Sequence, residues 1–146
     1  MSEEAGAMSA KAFFDSNVLI YAMVSRDSRR EFAQQLVAQG GVISVQVLNE
    51  FVAVARRKMR MPWEDVIEAL DAVRILFPSP VAITLDTHET ALKIARQYGF
   101  GIYDALIASS ALEANCSTLY SEDMQDGQVI VKELTIRNPF RSVIGS

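Results

Sequence analysis

Ala12-Phe13-Phe14-Asp15-Ser16-Asn17-Val18-Leu19-Ile20-Tyr21 is the stretch that decides how this chain is read. Three apolar residues make a short buried strand. Asp15, Ser16 and Asn17 then supply capping chemistry for a helix through Val18, Leu19, Ile20 and Tyr21. An acid therefore stands at a strand-to-helix junction. In an open α/β sheet, ligands bind in the crevice outside the carboxyl ends of the strands, which is where such a residue points.

Upstream, residues 1–11 are polar and small with no apolar h-region, so they read as a flexible leader rather than a signal peptide, with Met8 as an alternative start. Downstream, Ser28 with Glu31 has the spacing of a capping box, opening a helix with Phe32, Leu36 and Val37 on its apolar face and Gly40-Gly41 at its end. Val42-Ile43 reads as a second strand. A third helix runs from Val45 to about Lys58, with Val47, Leu48, Phe51, Val54 and Ala55 on one face and Glu50 at the border of that face. Pro62 in a first turn, followed by Glu64 and Asp65, opens a fourth helix with Trp63, Val66, Ile67, Leu70, Val73 and Phe77 as its buried stripe.

Pro78 and Pro80 end that helix, and Val81-Ala82-Ile83 reads as a strand. Asp86 and Glu89 are the expected caps of a helix carrying Ala91, Leu92, Ala95 and Tyr98, which Gly99 and Gly101 terminate. From Asp104 onward, Ala105 to Ala114 is small and apolar nearly all round, the pattern of a central helix. Ser117 to Tyr120 is a strand, residues 121–127 an acid-rich turn, and Val129–Val131 and Leu134–Ile136 terminal strands before Asn138-Pro139. Short strands alternating with helices define an α/β class with a mostly parallel sheet.

The chain has 146 residues, half of them apolar, enough for one domain with a full core and no staples. Its longest apolar run is far short of the roughly 20 residues a membrane span requires. Cys116 is the only cysteine, which excludes an internal disulfide and a multi-cysteine zinc site and suits a reducing compartment. His88 is the only histidine, so two-histidine acid–base chemistry is excluded and carboxylates are left to do hydrolytic work.

Asp15, Asp104 and Asp123 occupy element junctions and Glu50 a core-facing helix edge, whereas Glu64, Glu68 and Asp71 read as solvated. Singly, each has an ordinary explanation: a cap, a helix-border carboxylate, a first-turn acid and a loop residue. Jointly, clustered carboxylates repel one another, and a hard divalent cation such as Mg²⁺ or Mn²⁺ is the usual compensation. That chemistry suits phosphodiester hydrolysis without histidine. Two basic clusters, Arg26, Arg29 and Arg30, and Arg56, Arg57, Lys58 and Arg60, are either solvated faces or phosphate contacts. Arg57 projects near Glu50 on its helix, which favours contact for the second cluster. The net charge is −4, from fourteen basic and eighteen acidic residues; without the four candidate acids, fourteen of each remain. Met59, Met61 and Trp63 offer either a partner surface or core filling, and Trp63 is read as core.

Phe14-Asp15-Ser16-Asn17, Asn49-Glu50-Phe51, Tyr103-Asp104-Ala105-Leu106-Ile107 and Tyr120-Ser121-Glu122-Asp123-Met124 stand in the order found in PIN-domain nucleases, and the chain most resembles their VapC-type toxins. The resemblance runs from Phe13 to Phe140 and includes the closing Thr135-Ile136-Arg137-Asn138-Pro139-Phe140. It implies a PIN-like three-layer α/β/α sandwich over residues 12–140, with residues 141–146 as a tail. It also implies an endoribonuclease with Asp15, Glu50, Asp104 and Asp123 around one or two Mg²⁺ or Mn²⁺ ions. Ser16, Asn17 and Ser121 become hydrogen-bonding supports, with Asp126 as a further acid that the Asp126-Gly127 turn also explains. The implied partners are an RNA substrate, held in part by Arg56, Arg57, Lys58 and Arg60, a small antitoxin protein and a second copy of the chain. The implied setting is the prokaryotic cytoplasm, with no membrane contact. A PIN-like module that binds RNA or protein without cutting is the alternative, against which the intact acid quartet argues. Phosphotransfer through Asp15 is disfavoured: Asn17 replaces the second aspartate of the dehalogenase-type motif, and no Gly-rich phosphate loop is present.

Overall fold

Phe13 and Phe14 are adjacent in an extended strand, so their side chains point to opposite faces of a sheet, and both are completely buried. Both faces of that strand are therefore covered. The computed structural model describes residues 11–141, so the expected leader at residues 1–10 and most of the expected tail lie outside the described residues. The elements run β1 (Ala12–Phe14), α1 (Ser16–Met23), α2 (Arg30–Ala38), α3 (Val45–Arg57), α4 (Trp63–Leu76), α5 (Leu85–Tyr98), α6 (Ile102–Glu113), β2 (Thr118–Tyr120), β3 (Val129–Ile130) and β4 (Leu134–Arg137). The sheet order is β1-β2-β4-β3. β1 pairs in parallel with β2 and β2 with β4, while β3 closes the edge antiparallel to β4. This is the α/β sandwich with a mostly parallel sheet that the sequence pattern calls for.

Two expected strands are reduced to single bridges. Val42 pairs with Phe13, and Ser44 with Val81, both in parallel. The backbone bonds between Val42 and β1, and between Val81 and the Ile43–Val45 segment, extend the sheet edge without a full strand on either segment. Close approach explains why the chain is glycine at position 41. A Cβ there would lie 2.5 Å from the Phe14 ring and 2.7 Å from the Ala12 carbonyl oxygen.

The core is built from Phe13, Phe14, Leu19, Phe51, Ile107, Leu119, Ile136 and Phe140, all fully buried. Each such side chain contributes about 1.5–3 kcal/mol relative to exposure. α6 is buried continuously from Ala105 to Ala111, as its all-round apolar composition demands, and α5 packs along it. Among the described residues no helix is long and apolar enough to cross a membrane.

Several local expectations are corrected. Ser28 and Glu31 do not form a capping box: α2 starts at Arg30, its N-cap Arg29 makes no side-chain cap, and the Asp27 carboxylate accepts from the Arg29 N–H at 2.9 Å. Pro62 is the N-cap of α4 rather than a first-turn residue. α5 is capped not by Asp86 and Glu89 but by Thr84 and Thr87, whose hydroxyls reciprocally accept each other's backbone N–H at 3.1 Å. Trp63 and Ile67 are half exposed on α4, where Val66 and Val73, with Phe77 at the C-cap, carry the burial, and Leu92 is likewise exposed on α5. The Arg56 guanidinium stacks 4.5 Å over the Trp63 ring, so an indole read as core instead holds a cation at the surface.

Candidate active site

Parallel pairing of β1 with β2 puts Phe14 opposite Tyr120, so the residues that leave the two strands, Asp15 and Ser121, emerge side by side. The Asp15 N–H donates to the Tyr120 carbonyl at 3.0 Å. Its carboxylate is held at both oxygens: Oδ1 accepts from the Ser16 N–H and Oδ2 from the Ser121 hydroxyl, each at 2.7 Å. Asp15 is thus a helix cap and also a crevice residue. It is only 3% exposed, and burial pushes its pKa up to about 7. The Ser121 and Ser16 hydrogen bonds oppose that rise, while the charges of Glu50 and Asp104 add to it.

Glu50 reaches the same place from α3. Its Oε1 accepts from the Ser16 hydroxyl at 3.4 Å and its Oε2 from the Gln46 amide at 3.0 Å. Burial raises its pKa, with the charges of Asp104 and Asp123 adding to the effect. Asp104, in the first turn of α6, is raised by burial and then by Asp123. Asp123 is the exposed member, on the turn after β2, where its Oδ2 accepts from the Asn17 amide at 3.2 Å. Asn17 also accepts the Glu122 N–H at 3.1 Å, and the buried Ser121 hydroxyl accepts the N–H groups of Asp123 and Met124. The four acids and three supports expected from the sequence are therefore coupled through short contacts or mutual charge.

Asp126 stands apart. Its carboxylate accepts the Asn138 N–H and pairs with Arg141, both at 2.7 Å, and these bonds hold its pKa below the usual carboxylate range. It ties the acid-rich turn to the exit of β4 rather than supporting the other four acids. The basic clusters also divide. Arg57 lines a crevice of about 540 Å³ with Gln46, Asn49, Glu50, Tyr103 and Asp123. Lys58 lines an adjoining pocket of about 240 Å³ that contains Asn17, Tyr21 and Asp123. Arg56 is spent on the Met61 carbonyl at 2.8 Å and on Trp63. Arg60 adopts a left-handed backbone, φ 55°, just beyond the helix.

Three contributors escaped the sequence reading. Gln46 lies one turn before Glu50, and that i,i+4 spacing was the available signal. Tyr103 is 64% exposed beside Asp104, an aromatic ring next to the acids. Glu122 bonds to Tyr21 and Arg29, a connection with no local signature.

Among the described residues the acids do not form a closed cage of three or more ligands around one point. The donor set still fits a hard divalent cation. It consists of carboxylate oxygens whose neighbouring charges add to the raised pKa values of Asp15, Glu50 and Asp104, and among the described residues none of the four acids has an ion-pair partner. A cation that keeps several of its own waters does not need a closed protein cage.

The sequence model of the PIN domain matches residues 12–126, most of the chain, and the chain belongs to the PIN-domain family. No curated protein matches it by sequence. Three solved structures show the same fold. A toxin–antitoxin complex from Klebsiella pneumoniae is 20% identical with a TM-score of 0.67, covering 88% of this chain and 98% of that one. A VapBC complex from Rickettsia felis, bound to a promoter DNA fragment, is 21% identical with a TM-score of 0.62, covering 87% and 97%. A Mycobacterium tuberculosis VapC toxin that cleaves the sarcin–ricin loop is 20% identical with a TM-score of 0.64, covering 77% and 90%.

Proposed function

We propose that this chain is a divalent-cation-dependent endoribonuclease and the toxin of a toxin–antitoxin pair, acting in the cytoplasm. The observation that carries the reading is the buried Asp15 carboxylate at the carboxyl ends of β1 and β2, crowded by Glu50 and Asp104 and lacking a cationic partner among the described residues. Such an arrangement costs the fold stability unless it serves to collect positive charge. Asp15, Glu50, Asp104 and Asp123 would hold one or two Mg²⁺ or Mn²⁺ ions. Such ions, when bound, polarise a phosphoryl oxygen and stabilise the leaving oxygen of an in-line displacement by water.

The protein's own groups do the rest. Ser121 and the Ser16 N–H orient the Asp15 carboxylate, and Gln46 and Ser16 orient Glu50. Arg57 and Lys58, at the rims of the adjoining crevices, contact phosphates on either side of the acids. Tyr103 offers an exposed ring for stacking of an unpaired base. The neighbouring toxin–antitoxin complexes of the same fold support an antitoxin partner; a second copy of the chain is the further partner of this reading.

The test is cleavage of RNA by the purified chain with Mn²⁺ or with chelator, beside Asp15→Asn and Asp104→Asn. Cleavage by wild type alone, and only with the cation, is the expected result. Near-normal cleavage by either variant, or cleavage in chelator, overturns the reading.

A further inference from the structure

Arg29 belongs by sequence to a basic cluster with Arg26 and Arg30, yet its charge is already committed. Its guanidinium pairs with the Glu122 carboxylate at 2.7 Å and with Asp27 at 3.1 Å, lies 4.7 Å over the Tyr21 ring and donates to the Tyr21 hydroxyl. Tyr21 in turn donates to the other Glu122 oxygen at 2.6 Å, and its ring packs edge-on against Phe140 at 4.9 Å. Both Glu122 oxygens are therefore used, and the ion pair is mostly shielded, with side chains 24% and 20% exposed.

Glu122 immediately precedes Asp123. Asn17 and Tyr21, four residues apart on α1 and so on one face of it, both reach this turn. Asn17 grips the Glu122 N–H and the Asp123 carboxylate, and Tyr21 grips the Glu122 carboxylate. The backbone and side chain of residue 122 are thereby fixed at once, which leaves the exposed Asp123 little freedom to swing away. We infer that Tyr21, Arg29 and Glu122 form a positioning clamp that aims the Asp123 carboxylate at the divalent cation. The inference rests on the cation-dependent reading above. Charge-assisted hydrogen bonds of this kind are short and directional, and groups that orient a metal's ligands set its affinity without touching it.

The clamp makes Arg29 a positioning residue and not a phosphate contact, because two carboxylates already neutralise it. The full chain is titrated with Mn²⁺ alone, free ion being followed by electron paramagnetic resonance. Wild type is compared with Arg29→Met, Glu122→Gln, Tyr21→Phe and the reversed pair Arg29→Glu with Glu122→Arg. Arg29→Met and Glu122→Gln should weaken Mn²⁺ binding by about 10- to 100-fold, the range for lost outer-shell partners. Tyr21→Phe, which keeps the ring and so the packing, should weaken it less, and the reversed pair should recover part of the loss. Excess Mn²⁺ should restore the single-turnover cleavage rate of Arg29→Met, and a urea midpoint in chelator well above assay conditions should show that the variant is folded before the ion is added, which separates weakened ion binding from a general loss of stability. In an Asp15→Asn background, Arg29→Met should bind RNA with unchanged affinity. Wild-type Mn²⁺ affinity in Arg29→Met and Glu122→Gln overturns the clamp alone, and so does lost RNA affinity with Mn²⁺ binding intact. A wild type that binds no Mn²⁺ overturns the clamp and the cation-dependent reading together.

Discussion

Asp15 shows how one residue couples local structure, stability and chemistry. Folding raises its pKa from an ordinary 3.8 to about 7, so between those values the native state keeps a proton that the unfolded chain has lost. Without a cation, stability should fall as pH rises through that window and level off above it. The loss is on the order of 4 kcal/mol at about 1.4 kcal/mol per unit of pKa. Asp15→Asn keeps a capping oxygen but has no charge to bury, so its urea midpoint in chelator should change much less between pH 5 and pH 8. Parallel pH profiles for wild type and variant would refute this. Asp126 makes the opposite case. Asp126→Ala should lower the melting temperature by releasing the Asn138 and Arg141 contacts, while the single-turnover rate at saturating Mn²⁺ stays near wild type. A hundredfold loss of rate would return Asp126 to the active site.

At the scale of elements, α3 carries Glu50 into the crevice and ends in cations whose fates differ. Arg57 and Lys58 line the two pockets beside the acids, whereas Arg56 is held by Met61 and Trp63. Arg57→Gln and Lys58→Gln should each weaken RNA binding at low salt and reduce the slope of log affinity against log salt by about 1. Arg56→Gln should leave that slope unchanged. The measurement is a salt titration of RNA binding in the Asp15→Asn background, and equal effects at all three positions would reassign the cluster to a general basic face. In sequence Arg56, Arg57 and Lys58 read as one basic cluster, in which only Arg57 is set apart by its helical spacing from Glu50. Successive residues point about 100° apart, so Arg56 meets Trp63 of α4, Arg57 faces the crevice shared with Glu50 and Tyr103, and Lys58 faces the pocket lined by Asn17 and Tyr21 of α1.

At the scale of the whole molecule, the acids arrive from four separate segments: the end of β1, the middle of α3, the start of α6 and the turn after β2. Mutual repulsion across those segments opposes the fold, so a cation that binds only the native state should stabilise it by mass action. Mn²⁺ should raise the melting temperature, and more at pH 8 than at pH 6, because Asp15 must lose its proton to act as a ligand. Asp104→Asn should blunt the rise. Identical melting in chelator and in saturating Mn²⁺ would mean that the four carboxylates share no ion.

By itself the sequence determined the alternation of short strands and helices, the burial of α6 and the placing of three acids at element junctions. These follow from local periodicity and from the composition of a dozen neighbouring residues, which set which face of an element is apolar and where it must end. The sequence pattern also brought the PIN resemblance, and with it the acid quartet. Only the tertiary structure decided that Trp63 lies outside the core, that Val42 and Val81 contribute bridges and not strands, and that Arg29 is spent on Glu122. The Ser121 hydroxyl meets Asp15 across 106 residues, and Arg29 meets Glu122 across 93. Contacts that far apart along the chain leave no periodic trace. They exist because parallel pairing of β1 with β2 brings two strand ends together, and that pairing is a property of the packed sheet rather than of either segment.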